Sequence, residues 1–489
     1  MDGQKLSKFF SRWWLVLILI ATALLRFPSL FEPFTYGDEG IYLTLGQALR
    51  KGLVFYRDIH DNKPPLLYLL AAVSGSFGHF RLLLFFWSFL TILVFYELCL
   101  QLFAKNRRAV ATATTILAVL TSLHTFEGNV ANAENFMMLP TLFGFYLFVK
   151  IRSQPAAFLP WLAIGSLFGL ATLFKVPAAF DFIALLALYT TVNRKIKTKF
   201  FQNGLFLTAG FSLPILFSFA YYAAKNSLPA YWIAAFSQNL PYLSSWGSDQ
   251  PQAGSLPIAL LTRAGLLAMV VGLIFWQRQK ISLAASLAIF WFGFSLFAAL
   301  LSGRPYPHYL LQTIPPLSLT WGLIFAKKNF AKLIPIGLTL TLITSFLTFK
   351  FWHYPNWSYY QNFYQYALGG KDKQAYWLKF GDHTVAIYEL ARYLQTHTQP
   401  EEKIFIWSNQ PSVYVLAKRL PVGRYCTAYH IQDFDKQGTS LRQVSAQPPR
   451  FVVVEKSLPY PALEALLQTN YLFDQQFGPF AVYHRVITG

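Results

Sequence analysis

Long apolar runs with few charges constrain this chain more than any other feature. About eleven stretches of about 17 to 25 mainly apolar residues recur before position 350, each long enough at about 1.5 Å per residue to cross roughly 30 Å of hydrocarbon. They cover approximately residues 13–31, 80–102, 109–124, 135–150, 158–174, 177–192, 201–223, 256–276, 281–301, 307–326 and 331–350. Composition agrees, with 55% of 489 residues hydrophobic and 13% charged, and a mean hydropathy of +0.38. The expected fold class is a polytopic α-helical membrane protein with about eleven transmembrane helices. The apolar piece at 66–77 is only about a dozen residues long, too short to span, and reads as an interfacial helix.

A formal charge of +20 would fit nucleic acid if it were gathered on a soluble domain. It is instead split among short loops between apolar runs. With the N-terminus in the cytoplasm, the inside loops hold Lys105, Arg107 and Arg108; Lys150 and Arg152; Arg194, Lys195, Lys197 and Lys199; Arg278 and Lys280; and Lys327, Lys328 and Lys332. That is the distribution the positive-inside rule demands, so no nucleic-acid partner is expected. Lys5, Lys8 and Arg12 precede the first run as in a signal peptide, but no small-residue cleavage site follows, and the run reads as a retained span. Two cysteines, Cys99 and Cys426, support neither a disulfide framework nor a thiolate metal site.

The same bookkeeping puts the loop at 36–70 outside, together with 124–135, 225–254, 303–308 and everything after 350. The 36–70 loop is dense in reactive groups. Tyr36, Gly37, Asp38, Glu39 and Gly40 open it; an amphipathic helix follows, with Ile41, Leu45, Ala48 and Leu49 on one face and Gln47, Arg50 and Lys51 elsewhere, the pattern of a segment lying on a bilayer. Asp58, His60, Asp61, Lys63, Pro64 and Pro65 come next. Asp38 and Glu39 either cap the helix they begin or form a carboxylate pair able to take a proton from an attacking alcohol. Lys63 either snorkels to headgroups or binds a phosphate at their depth. His60 with Asp58 and Asp61 could hold a divalent metal, although the spacing matches no established ligand pattern.

More cations stand at the same expected outer level: Lys175 before Val176 and Pro177, Arg304 between Gly303 and Pro305, and further Arg26 and Arg263. Membrane-embedded charges cost about 2.5 to 3.5 kcal/mol each on insertion scales, so several on one face point to a bound anion. A salt bridge to Asp181 competes for Lys175. His308 and Tyr309 follow Arg304 by one turn, beside Tyr306 and Pro307. Glu134 and Asn135 either cap the helix they start or add a second acid to the site.

After about position 350 the pattern changes to 388–394 as helix, 404–407 as strand, 413–420 as helix, 451–454 as buried strand, 463–467 as helix and 480–486 as closing strand. This alternation predicts a C-terminal extracytoplasmic α/β domain over 351–489 with a mainly parallel sheet, beside a membrane domain over 1–350. Asn356, Trp357 and Ser358 form a glycosylation sequon.

Taken together, Asp38 and Glu39 after the first span, residues 63–66 in the same loop, Ala133, Glu134 and Asn135, residues 174–177, and residues 304–310 ahead of Pro315 and Pro316 resemble the GT-C membrane glycosyltransferases. The likeness is to the bacterial relatives of protein O-mannosyltransferases, aminoarabinose transferases and Rgt-type lipopolysaccharide sugar transferases, and it leaves out the tail. It implies transfer of a sugar from a polyprenyl-phosphate-linked donor, with inversion, to a protein, lipid or polysaccharide acceptor outside the plasma (inner) membrane. Asp38 would then be the base, Glu39 its support and Glu134 a second acid. Lys63, Lys175, Arg304 and His308 would bind the donor phosphate, and Tyr36, His60, Asp61, Asn135 and Tyr309 would line the substrate pocket. No cofactor is required on this reading, a divalent metal staying open. Two other classes compete. A transporter or lipid flippase predicts internal repeats and midplane polar sites, which the sequence lacks; a tail that binds cell-wall material needs far fewer spans for anchoring.

Overall fold

A computed structural model describes residues 3–104, 106–152, 158–192, 197–240, 243, 258–325 and 329–486. Lys105, Arg194, Lys195, Lys327 and Lys328 of the orientation argument lie outside the described residues, as do 241–242 and 244–254 of the long loop expected outside and the edges of the 256–276 and 307–326 stretches. The chain divides into two compact units. One comprises Met1–Ser29, Leu82–Tyr221 and Gln238–Asn356; the other comprises Leu30–Arg81, Tyr222–Ser237 and Trp357–Gly489. The reactive loop and the tail, far apart in sequence and assigned above to different domains, thus belong to one unit.

Every apolar stretch of the first unit is mainly helix, and the chain is a membrane protein. The helical segments Trp13–Leu30, Phe77–Leu102, Phe200–Ala224 and Ala259–Gln277 are long and apolar enough to span by themselves; Phe158–Phe174, Val176–Thr191, Leu283–Ala299 and Ile334–Thr348 are shorter apolar helices. Lipid is as apolar as leucine, so contact between such helices depends on close packing more than on expulsion of water. The core shows this. Phe145 lies 4.3 Å from the Trp291 ring and edge-on to Phe168. Helices Phe158–Phe174 and Lys197–Ala224 meet at glycines: a Cβ on Gly165 would collide with the Leu207 carbonyl oxygen, and one on Gly210 with that of Leu162. Ser166 donates to the Gly210 carbonyl across the same crossing at 3.1 Å. Gly165 and Gly169 are one turn apart, the small-xxx-small spacing that lets membrane helices touch backbone to backbone.

In the second unit, the helix expected to float on a bilayer is a core element. Gly37–Arg50 is buried from Glu39 to Ala48, polar positions included. Gly46 sits against helix Leu66–Ser74, where a Cβ would fall 2.7 Å from the Ala72 nitrogen; Gly40 meets Ser412 equally closely. Gln47, read as outward, donates to the Arg419 carbonyl at 3.0 Å. The amphipathic pattern was real, but protein covers the second face, and glycines at both contacts permit it. Leu66–Ser74 itself is nine residues long and stops at Gly75 in the left-handed region.

The tail carries a four-stranded sheet: β1 (Phe405–Trp407), β2 (Phe451–Glu455), β3 (Tyr471–Phe477) and β4 (Phe480–Arg485), in the order β1-β2-β4-β3. Only β1 and β2 run parallel; β4 is antiparallel to both neighbours, which corrects the mainly parallel sheet expected. The reason is the β3–β4 hairpin, turning at Gly478 with φ 52°. β3 reads Tyr-Leu-Phe-Asp-Gln-Gln-Phe, an exposed edge strand with a register shift after Phe473, so no alternation announces it. Asn356 does not present an open sequon: its amide donates to Thr125 Oγ1 at 2.7 Å and its carbonyl accepts from the Thr125 N–H at 3.1 Å.

Candidate active site

The loop of the second unit separates its two acids completely. Helix Gly37–Arg50 has Tyr36 as its N-cap with no side-chain capping bond, and places Asp38 and Glu39 in its first turn with their carboxylates in different surroundings. Asp38 is the accessible one, its side chain 29% exposed. It accepts from the Tyr42 hydroxyl at 2.9 Å, and the Lys63 ammonium stands 3.9 Å away, 5.0 Å above the Tyr42 ring. Glu39 is fully buried. Arg81 clamps it with Nη2 at 2.7 Å and Nε at 3.0 Å, reaching Glu32 with Nη1 at 3.6 Å. Tyr359 donates to the far oxygen of Glu32. Glu39 therefore holds the helix start in place from inside, while Asp38 faces outward with a proton-donating tyrosine and a lysine beside it. Arg81 and Glu32 escaped the sequence reading; an arginine five residues into a long apolar helix was the available signal.

His60 and Asp61 lie deeper. The His60 ring packs edge-on to Tyr425 and Phe434. Asp61 is inaccessible, accepting from the Tyr68 hydroxyl at 2.5 Å and the Asn62 N–H at 2.7 Å, with His430 Nε2 at 3.6 Å. Burial alone would raise the Asp61 carboxyl, but Lys63 and His430, with these hydrogen bonds, bring it below its ordinary value. Burial pushes His430 down against the pull of Asp61. Asp58 is occupied elsewhere, bound by Arg57 at 2.7 Å and by the Val54 N–H at 2.8 Å. His60, Asp58 and Asp61 thus do not converge, and among the described residues no group of three or more His, Cys, Asp or Glu could hold a metal. The tail grips this loop repeatedly: the His60 N–H donates to the Arg424 carbonyl at 2.8 Å, and Arg424 donates to that of Tyr56.

The first unit builds a second polar cluster. Glu134, at the start of helix Ala133–Ile151, pairs with Lys175, whose ammonium also lies 3.7 Å above the Tyr309 ring. His308 Nε2 stands 3.9 Å from the same carboxylate, while its Nδ1 meets Glu127. Asn132 donates to Glu127 at 3.3 Å; Asn135 ties down the preceding loop through the Val130 carbonyl at 2.8 Å. Glu127 was missed by the sequence reading. It is buried with φ 54°, a strained placement for a side chain of this size, and Gly128 follows where a Cβ would collide with the Thr121 carbonyl oxygen. Lys175 takes Glu134 in place of Asp181, whose carboxylate accepts from Trp291 Nε1 at 3.0 Å.

Two further cations proposed for an anion are engaged with backbone instead. Arg26 donates to Ser122 Oγ at 3.2 Å and to the carbonyls of Gly128 and Thr121 at 2.8 and 2.5 Å, closing the C-terminal end of helix Arg107–Leu120. Arg263 donates to the carbonyls of Ala259 and Leu300. Arg304 sits half-buried on its turn, its N–H donating to Ser302 Oγ at 3.3 Å.

The fold is similar to that of a solved GT-C glycosyltransferase. The crystal structure of the aminoarabinose transferase ArnT from Cupriavidus metallidurans bound to undecaprenyl phosphate matches 97% of this chain and 98% of its own, at TM-score 0.57 and 14% identity. Its apo form matches the same shares at TM-score 0.56 and 13% identity. The oligosaccharyltransferase AglB from Archaeoglobus fulgidus, in complex with an inhibitory peptide and a dolichol-phosphate, matches 98% of this chain and 75% of its own, at TM-score 0.47 and 12% identity. Sequence comparison adds no relative: no family model matches the chain, and no match is found among curated proteins.

Proposed function

We propose that this protein is a glycosyltransferase that moves a sugar from a polyprenyl-phosphate-linked donor to a hydroxyl-bearing acceptor at the extracytoplasmic face of the plasma (inner) membrane, its N-terminus cytoplasmic and its tail outside. The observation that carries the reading is the end-to-end likeness to ArnT, a protein solved with undecaprenyl phosphate, in a chain whose first loop exposes Asp38 and buries its neighbour.

Asp38 takes the proton of the attacking hydroxyl; the new C–O bond forms as the bond between sugar carbon and phosphate oxygen breaks, inverting the carbon and releasing polyprenyl phosphate. Lys63 offsets charge growing on that phosphate, a form of stabilisation whose loss costs about 100- to 1,000-fold in rate. Lys175, Arg304 and His308 are assigned to the phosphate as well, and Glu134 to a second acidic contact. Tyr36, Asn135 and Tyr309 are assigned to substrate, whereas His60 and Asp61 act by shaping the Lys63 turn. The reaction needs no cofactor, and the acceptor is a protein, lipid or polysaccharide.

The test compares lipid-linked sugars by mass spectrometry in cells with the intact chain, without it, and with Asp38→Asn. One polyprenyl-phosphate sugar should accumulate in the last two. An unchanged lipid-linked pool in all three would exclude the donor class, and wild-type turnover by a folded Asp38→Asn protein would exclude the base.

A further inference from the structure

One surface of the second unit is apolar and has its occupant written in its surroundings. Helix Asn356–Ala367 is two-faced. Its inner face packs through Tyr359, Asn362 and Phe363, with the Asn362 amide donating to the Tyr376 carbonyl at 3.0 Å. At about 100° per residue, Trp357, Gln361, Tyr364 and Leu368 fall on one outward stripe. Trp357 is 80% exposed, Tyr364 60% and Leu368 84%. Large aromatic and aliphatic side chains left open in line are costly in water, and mark a surface that something apolar covers.

We propose that this stripe rests in the headgroup layer of an anionic bilayer, docking the helix on the membrane that the apolar helices cross. Chain length is the first argument. Helix Ile334–Thr348 ends nine residues before Trp357, so at no more than about 3.5 Å per residue the stripe begins within about 32 Å of an apolar helix end. Residue type is the second, because tryptophan and tyrosine prefer the membrane–water boundary, where the ring is apolar and the N–H or O–H stays wet. Charge is the third: residues 350–380 hold Lys350, Lys371, Lys373 and Lys379 against the single acid Asp372. Lysines flanking an aromatic stripe in the sequence match acidic lipid headgroups, and their charge would disfavour a second copy of this chain, whose net charge is +20.

The experiment uses the full chain in nanodiscs of phosphatidylcholine with or without phosphatidylglycerol. Single cysteines at Trp357, Tyr364 and Leu368, and at exposed Gln374 as the control, carry a nitroxide; native Cys99 and Cys426 are buried. Collision with lipid-soluble oxygen is compared with collision by a water-soluble nickel chelate. The expected result is a several-fold preference for oxygen at the three stripe positions over the control, larger with phosphatidylglycerol. Stripe positions as open to nickel as Gln374 overturn the proposal, and so does shielding from both reagents, which would mean a protein covers the face. Neither outcome bears on sugar transfer, since no stripe residue has a part in it.

Discussion

Arg81→Met should unfold this protein far more readily than loss of either acid beside it. The guanidinium is 2% exposed and touches Glu39, which is fully buried, and Glu32, 7% exposed. Removing it strands two carboxylates close together with little access to water. Breaking a buried pair by deleting one partner costs about 3 to 5 kcal/mol, mostly from the charge left behind. At about 1.4 kcal/mol per decade, the folding equilibrium should fall by roughly two to three and a half decades. Glu39→Gln removes one acid but leaves Arg81 on Glu32, and about 1 to 3 kcal/mol is expected. The decisive measurement is the double variant. If the stranded Glu39 charge is the main cost, adding Glu39→Gln to Arg81→Met should restore stability, giving a coupling of at least about 2 kcal/mol in a double-mutant cycle of denaturant unfolding in detergent. Additive effects, or an Arg81→Met protein as stable as the parent, would refute the reasoning and return Glu39 to the candidates for chemistry.

Asp38→Asn should lower transfer by about 100- to 10,000-fold, the range for a lost general base, while leaving the unfolding midpoint unchanged because the carboxylate is partly exposed. Lys63→Ala and Arg304→Ala should raise KM for the lipid-linked donor more than for the acceptor in steady-state assays; equal effects would argue against phosphate binding. Gly165→Leu should cost about 1 to 3 kcal/mol or more of stability, read by thermal unfolding, because its Cβ enters the backbone of the facing helix. Acidification should weaken the fold in two steps. His430 has a lowered pKa when folded, so the unfolded chain takes up its proton first and stability falls as pH drops below about 6.5; Asp61, also lowered, adds a loss below about 3.9. His430→Gln should flatten the first step in melting curves measured from pH 7 to pH 5, and an unchanged slope would exclude His430 as its source.

The division between these acids was invisible in the sequence, where Asp38 and Glu39 are simply adjacent. Consecutive helix residues point about 100° apart, so one faced outward and the other inward, but which of them was clamped by a buried guanidinium depended on Arg81, 42 residues beyond Glu39. His430 likewise approaches Asp61 from the far end of the chain. Glu127 lies in a short irregular loop with no periodicity to mark it, and its partner His308 is 181 residues away.

What the sequence determined by itself was whatever depends on neighbours along the chain: apolar runs that must become helices because lipid offers the backbone no other hydrogen bonds, and a loop after the first of them that concentrates carboxylates and a lysine. Tertiary structure decided what depends on neighbours in space. It turned a helix patterned for a surface into a buried one, since glycines at 40 and 46 let protein reach its second face. It also made a mixed sheet from strands that looked parallel, and it sorted the charged residues into those spent on each other or on backbone carbonyls and those, such as Asp38, still partly open to solvent. Side-chain periodicity reports the face a residue occupies on its own element; the partner that satisfies a buried charge is chosen by the packing of distant segments, and no local pattern encodes that choice.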